Sequence, residues 1–166
     1  FDRGALVAGM TETAGRAARA FRDHGGFERV DDGQFESTTT AFDAVVDATE
    51  TDGRIDYTVR IRVPSLSAAV DGDVAAVVEE GWLETFELRA GDVDGVVRGD
   101  HDFDPAVDLT AGEVVVEFGF TDIDERRGVD DAAAIINYVE GTYVQGIIPG
   151  YDYVDPVDSL VDRARQ

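Results

Sequence analysis

Apolar and polar residues alternate along two segments of this chain, and both segments are predicted to be β-strands. The clearer one covers residues 55–63, and Pro64 ends it. Successive side chains of a strand point to opposite faces, so each strand is predicted to have one buried face and one solvated face. The apolar face of the second strand carries Val114, Val116, Phe118 and Phe120.

Weaker alternation surrounds these two strands. Residues 42–49 repeat the pattern, and the sequence Thr51-Asp52-Gly53-Arg54 predicts a tight hairpin turn that leads into the clearest strand. Shorter strands are predicted at residues 27–30, 93–97 and 106–109, the last two within a segment rich in Gly and Asp.

Apolar residues spaced three and four apart predict the helices. Residues 82–89 fit either a helix or a strand, and we favour the helix. The predicted helices are residues 11–24, 66–80, 82–89, a long one that opens at Asp130 or Asp131, and a short one after Asp155-Pro156.

The order of these elements predicts an α+β fold, with a mainly antiparallel β-sheet and helices packed on one face. The length of 166 residues favours a single domain. We predict that this domain covers residues 10–166, beginning at the only methionine, Met10, and that residues 1–9 form an N-terminal extension.

Acidic residues outnumber Lys and Arg by 36 to 14, for a formal charge of −22, and all of the latter are Arg. Such a charge makes a compact chain repel itself in dilute buffer, whereas at about 1 M salt the Debye length is only about 3 Å. An excess of acidic residues without Lys is typical of proteins that work in concentrated salt. We therefore predict a halophilic protein of the cytoplasm.

The missing residue types exclude several classes of function. Without Cys there is no disulfide, thiolate zinc site or Cys nucleophile, and without Lys there is no Walker-A loop or Schiff base. The negative charge argues against nucleic acid as a partner, and no apolar stretch is long enough to predict a membrane span. HExxH, GxGxxG and nucleophile-elbow patterns are also absent from the sequence, and we predict no cofactor.

The segment EGTYVQGIIPGYDY, residues 140–153, is the main candidate binding region. Its Gly and Pro residues shape the backbone, and its Tyr side chains combine an apolar ring with a polar tip, which suits pockets and interfaces. The alternative is a structural loop packed against the core. The binding residues predicted here are Tyr143, Gln145, Gly146, Pro149, Gly150, Tyr151 and Tyr153.

Two further features are candidates for binding. Arg16, Arg19 and Arg22 form a positive stripe that is predicted to bind an acidic partner or an anion, unless it pairs with nearby carboxylates. The sequence GDHDFD surrounds His101 with three Asp residues, a pattern compatible with a divalent cation. Because Asp-x-Asp pairs are frequent in so acidic a chain, a solvated loop is favoured there and no metal site is predicted.

The stretches RVPSL, EEGWLETFELR and EGTYVQGIIPGYDY resemble a family of small haloarchaeal proteins of unknown function. The resemblance runs from about Ala17 to Gln166 and implies a halophilic cytoplasmic protein, with no activity to carry over. The order of the elements is also similar to small dimeric secretion-chaperone-like domains, provided that residues 82–88 form a strand.

We therefore expect a non-catalytic binding or protein-interaction module that associates with itself or with another protein. The alternative is a small enzyme, with or without Mg²⁺, that acts on a small molecule through acidic residues around His101 or Tyr151.

Overall fold

A six-stranded antiparallel sheet forms the centre of the computed structural model, which describes residues 15–165. The strands lie in the order β1-β2-β3-β4-β6-β5, and every neighbouring pair is antiparallel. Their bounds are Phe27–Asp31 (β1), Gln34–Ser37 (β2), Asp43–Thr51 (β3), Arg54–Pro64 (β4), Ala106–Thr110 (β5) and Glu113–Asp122 (β6).

Five helices occur in the described part of the chain, and those that contact the sheet pack on its buried face. None of the helices within residues 15–165 is long and apolar enough to cross a membrane. The helices are α1, described from residue 15 to residue 24, Leu66–Ala69 (α2), Ala76–Ala90 (α3), Glu125–Gln145 (α4) and Val157–Ala164 (α5). The α+β fold predicted from the sequence is confirmed.

The central strand β4 shows why only one face of the sheet is covered. Ile55, Tyr57 and Val59 point into the core, whereas the alternate residues face solvent. On that open face, Arg60 donates to Glu117 at 2.9 Å and Arg62 donates to Glu113 at 2.9 Å, across adjacent strands. The open face is therefore a surface of ion pairs, and the apolar face carries the core.

Several predicted elements are confirmed. The hairpin turn between β3 and β4 contains Asp52 and Gly53, both with positive φ, as a two-residue turn of this type requires. Residues 82–89 are helical, within α3, so the condition for a likeness to secretion-chaperone domains is not met. The strand predicted at residues 106–109 corresponds to β5, whereas residues 93–96 form a 3₁₀ turn with Val93 in the core instead of a strand.

The helix predicted at residues 66–80 is wrong as one element. α2 ends at Ala69, because Val70 leaves the helix to form a β-bridge with Tyr153. The bridge is held by hydrogen bonds from Asp71 N to Asp152 O and from Val154 N to Ala69 O, both 2.8 Å. The second helix, α3, begins only at Ala76.

The predicted start of the long helix at Asp130 or Asp131 is also wrong. α4 begins at Glu125, and the carboxylate of Asp124 caps it by accepting from the backbone N–H groups of Arg126 and Arg127 at 3.0 Å. Asp131 lies inside the helix and is buried. The predicted extension at residues 1–9, and Met10, lie outside the described residues.

α4 approaches the sheet closely at Gly128. A Cβ atom at this position would lie 2.3 Å from Cζ and from Oη of Tyr57. Tyr57 is itself buried and stacks on Phe120 with ring centroids 4.8 Å apart, so its ring has no room to move. Only glycine fits between this turn of α4 and β4.

We expect Gly128→Ala to lower the free energy of unfolding by about 1–3 kcal/mol, the usual cost of forcing extra volume into a packed core. Gly141→Ala is the matched control, because Gly141 lies in the same helix with no atom within 4 Å of its added Cβ. That variant should gain about 0.5–1 kcal/mol from helix propensity. Urea denaturation in molar KCl measures both, and equal effects of the two substitutions would contradict the packing of α4 described above.

Candidate functional site

An open groove with a volume of about 370 Å³ lies between α3 and the C-terminal end of α4. Its lining includes Trp82 and Phe86, which are nearly buried and whose rings stack with their centroids 5.6 Å apart. The other lining residues are Val77, Val78, Gly81, Thr85 and Arg89 of α3, with Thr142, Gln145, Gly146 and Ile148. The groove is thus largely apolar, with an arginine at its edge.

Two glycines leave this groove open. Gly81 lies on the exposed surface of α3, and nothing lies within 4 Å of an added Cβ. Gly146 ends α4, where an added Cβ would lie 3.8 Å from Nε1 of Trp82. The indole N–H of Trp82 forms no hydrogen bond within residues 15–165 and is not a fully buried atom, so the groove offers an apolar surface with one accessible donor.

Tyr side chains of the predicted binding segment support the groove from behind. Tyr143 is buried in edge-to-face contact with Trp82, and its hydroxyl donates to the carbonyl oxygen of Pro64 at 3.0 Å. Burial raises the pKa of Tyr143 above its usual value, so the ring stays neutral. Tyr153 closes the loop after α4, because its hydroxyl donates to Ile148 O at 2.7 Å and accepts from Ile148 N at 3.0 Å.

The structure therefore divides the residues predicted at 143–153 into three groups. Gln145 and Gly146 line the groove. Tyr143 and Tyr153 lie behind it, and Tyr151 packs beside Tyr153 with ring centroids 6.5 Å apart. Pro149 and Gly150 are exposed in the loop that follows α4. Sequence patterns did not identify the α3 side of the groove.

The arginine stripe of α1 lies far from this groove. Arg16 contacts Glu50 at 3.6 Å and Glu125 at 3.8 Å, beside the start of α4. Tyr143 lies near the other end of α4, roughly 27 Å along the helix axis. Arg19 and Arg22 are exposed and make no ion pair within residues 15–165, and Arg22 lines a smaller groove of about 280 Å³. The two predicted binding regions do not form one site.

A buried charged cluster lies under the loop that contains His101. Nε2 of His101 is 3.3 Å from Oδ2 of Asp131, and Asp122 completes a set whose ligand atoms all lie within 4.8 Å of one another. The Asp131 and Asp122 side chains are only 1% and 2% exposed. The other Asp residues around His101 in the sequence, Asp100, Asp102 and Asp104, are exposed.

The two buried carboxylates already have partners, which makes the cluster a poor fit for a metal ion. Asp131 accepts from the backbone N–H groups of Arg98 at 2.8 Å and Gly99 at 2.9 Å. Asp122 accepts two hydrogen bonds from Arg127, from Nε at 2.8 Å and from Nη2 at 2.7 Å. A cation would have to displace Arg127 or release the loop, so we assign the cluster a structural role.

Burial favours a higher pKa for Asp122, but the hydrogen bonds from Arg127 and from the backbone N–H of Asp124 outweigh it and hold the pKa below the usual Asp value. A carboxyl whose folded-state pKa is lowered stabilises the fold above its unfolded-state pKa. That contribution is lost as the pH falls through the lowered value.

Arg127→Gln should therefore lower Tm at neutral pH, because Asp122 is left as a buried charge without its partner. Arg126→Gln is the matched control, since Arg126 is exposed and makes no ion pair within residues 15–165. The difference in Tm between the variants should shrink on acidification. In Arg127→Gln, the unpaired Asp122 takes up a proton first as the pH falls. In the wild type, the ion pair with Arg127 is lost later, when the pH falls through the lowered pKa of Asp122. A difference that stays constant between pH 7 and pH 3 would contradict this assignment.

Comparison with known proteins identifies a family and no activity. Neither a curated protein nor a solved structure matches the chain. Residues 22–163 match a family model, which covers most of the chain and nearly all of the resemblance seen in the sequence. The expectation of an uncharacterised family is confirmed, and the protein belongs to the family of unknown function DUF5813.

Proposed function

We propose that this protein is a non-catalytic interaction module, and that the groove between α3 and α4 binds apolar side chains of a protein partner. The observation that carries the proposal is the open, largely apolar groove itself, whose lining combines the nearly buried rings of Trp82 and Phe86 with Val77, whose exposed fraction is 73%. Partly open apolar depressions of this kind typically receive the anchor side chains of a protein partner.

The chemistry of the groove favours a protein over a small substrate. Its polar groups are few, and the titratable side chain among its lining residues is Arg89. Acid–base catalysis needs a group whose pKa lies near the working pH, and no residue of this lining is such a group. Nucleic acid is a poor candidate because a net charge of −22 repels phosphates.

The alternative, an enzyme that uses acidic residues around His101 or Tyr151, has one observation in its favour, the proximity of His101, Asp122 and Asp131. These side chains are largely buried, and both carboxylates already accept hydrogen bonds from Arg127 or from the backbone. Tyr151 lies elsewhere, beside Tyr153. This alternative therefore has less support than the groove.

We also propose that the protein is adapted to a salt-rich cytoplasm. Among residues 15–165, Asp122 and Asp131 are the buried carboxylates, so nearly all of the acidic excess lies on the surface, where mobile ions can screen it.

Gly81→Tyr should block the groove and abolish capture of the partner without unfolding the protein, because Gly81 is exposed with free space around it. Gly141→Tyr is the matched control, at another exposed helical glycine with free space. The experiment compares tagged wild-type protein and both variants, each used to capture partners from a native lysate held in molar KCl, with quantitative mass spectrometry.

We expect one protein at near-stoichiometric yield with the wild type and Gly141→Tyr, and its loss with Gly81→Tyr. Equal capture by the two variants would show that the groove is not the docking surface. A bound metabolite or metal ion with no protein would move the enzyme hypothesis to first place.

Adaptation to salt predicts that Tm rises steeply between dilute buffer and molar KCl, since repulsion among surface carboxylates is screened. Sucrose at equal osmolality is the control, because it favours compact states without screening charge. Differential scanning calorimetry in both series measures the effect. A Tm that responds equally to KCl and to sucrose would refute the proposal.

A further inference from the structure

We propose that the partner at this surface is a second copy of the chain, with α3 of one copy packed in parallel against α3 of the other. This inference rests on the proposed function, because the outer surface of α3 includes one wall of the groove. Its evidence is different, however, and lies in the distribution of apolar and charged residues around α3.

The apolar residues of α3 lie on both sides of the helix. Trp82, Phe86 and Ala90 face the core, whereas Val77 and Leu88 are exposed to 73% and 74% on the outer side. A helix that covers a core on one side normally has a polar outer face. Exposed Glu80, Glu84 and Glu87 supply part of such a face, but two large apolar side chains interrupt it, and we expect a partner to cover them.

The outer residues have the spacing of a two-stranded coiled coil. Val78, which is partly buried against the core, and the exposed residues Gly81, Thr85 and Leu88 follow one another at intervals of three, four and three residues, which is the a and d spacing of a heptad. Gly81 and Thr85 are small, so two such helices can approach closely, with Leu88 as the largest contact. The 15 residues of α3 hold only two such repeats. The contact is therefore short and needs flanking interactions.

Two charged residues provide these interactions. Glu84 and Arg89 are both exposed, and neither makes an ion pair within residues 15–165. They are five residues apart, so they lie about 140° apart around the helix and cannot pair with each other. In this heptad, Glu84 occupies position g and Arg89 occupies position e. In a parallel coiled coil, position g of one helix lies next to position e of the following heptad in the other helix.

The same residues decide the direction of the pair. In a parallel pair, Glu84 of each copy meets Arg89 of the other, and symmetry gives two attractive contacts. In an antiparallel pair the same flanks face each other, so Glu84 would lie near Glu84 of the other copy. The parallel arrangement is therefore the one that the charges of α3 favour.

Charge reversal tests this arrangement in the purified full chain by sedimentation equilibrium, at the lowest KCl concentration that keeps the protein folded. We expect a wild-type dimer. Glu84→Arg and Arg89→Glu should each raise the dissociation constant about tenfold, because each removes two ion pairs. The double variant, which swaps the charges, should restore it to within about twofold.

Two control variants complete the test. Glu87→Arg changes the net charge as Glu84→Arg does, but Glu87 lies on the opposite side of α3 from the heptad stripe, so it should not weaken the dimer. Leu88→Gln should weaken the dimer at all salt concentrations, whereas the charge variants should have less effect in molar KCl, where charges are screened.

A wild-type chain that stays monomeric at about 0.1 mM, or a double variant that fails to restore association, would overturn the parallel dimer. Glu84→Gln separates the two directions, because it removes an attraction in the parallel pair and a Glu84–Glu84 repulsion in the antiparallel pair. If Glu84→Gln strengthened association, the pair would be antiparallel and the proposal would be wrong. The chain could instead be monomeric while the wild type captures another protein and Gly81→Tyr does not. That result would refute the dimer and leave the proposed interaction module supported.

Discussion

The rest of the structure depends on the burial of one face of the central strand pair, β4 and β6. Their apolar residues alternate in register, so that Tyr57 lies opposite Phe120 and Ile61 opposite Val116. This one continuous apolar surface needs a cover, and α4 provides it, with a close approach where Gly128 lies against Tyr57. The position of α4 then fixes α3, which packs against it, and the groove lies between the two helices.

The acidic charge of the chain imposes a second constraint, which the buried cluster shows. A buried carboxylate is tolerated only when it accepts several hydrogen bonds or has a paired cation. Asp122 has Arg127, and Asp131 has two backbone N–H groups of the loop that carries His101. The same atoms that make the cluster resemble a metal site are therefore already used to hold this loop and the start of α4 in place.

Local patterns in the sequence predicted the elements whose cause is local. Alternation identified β4 and β6, and Asp52-Gly53 identified the hairpin, because each depends on neighbours in the chain. The break between α2 and α3 depends on the bridge from Val70 to Tyr153, which is distant in sequence, so no pattern near residue 70 could reveal it. Gln145 and Gly146 were identified because glycine marked a shaped backbone, but their neighbours across the groove carry no such mark.

The ambiguity of residues 82–89 has a physical cause that also bears on function. A helix is recognised in a sequence by the contrast between an apolar and a polar side, and α3 lacks this contrast because Leu88 and Val77 oppose Trp82 and Phe86. Its own domain uses only the inner set. The outer set adds nothing to the monomer's core, and in a chain this acidic it occupies surface where carboxylates would aid solubility. The feature that obscured the helix in the sequence is therefore the same one that favours a covering partner.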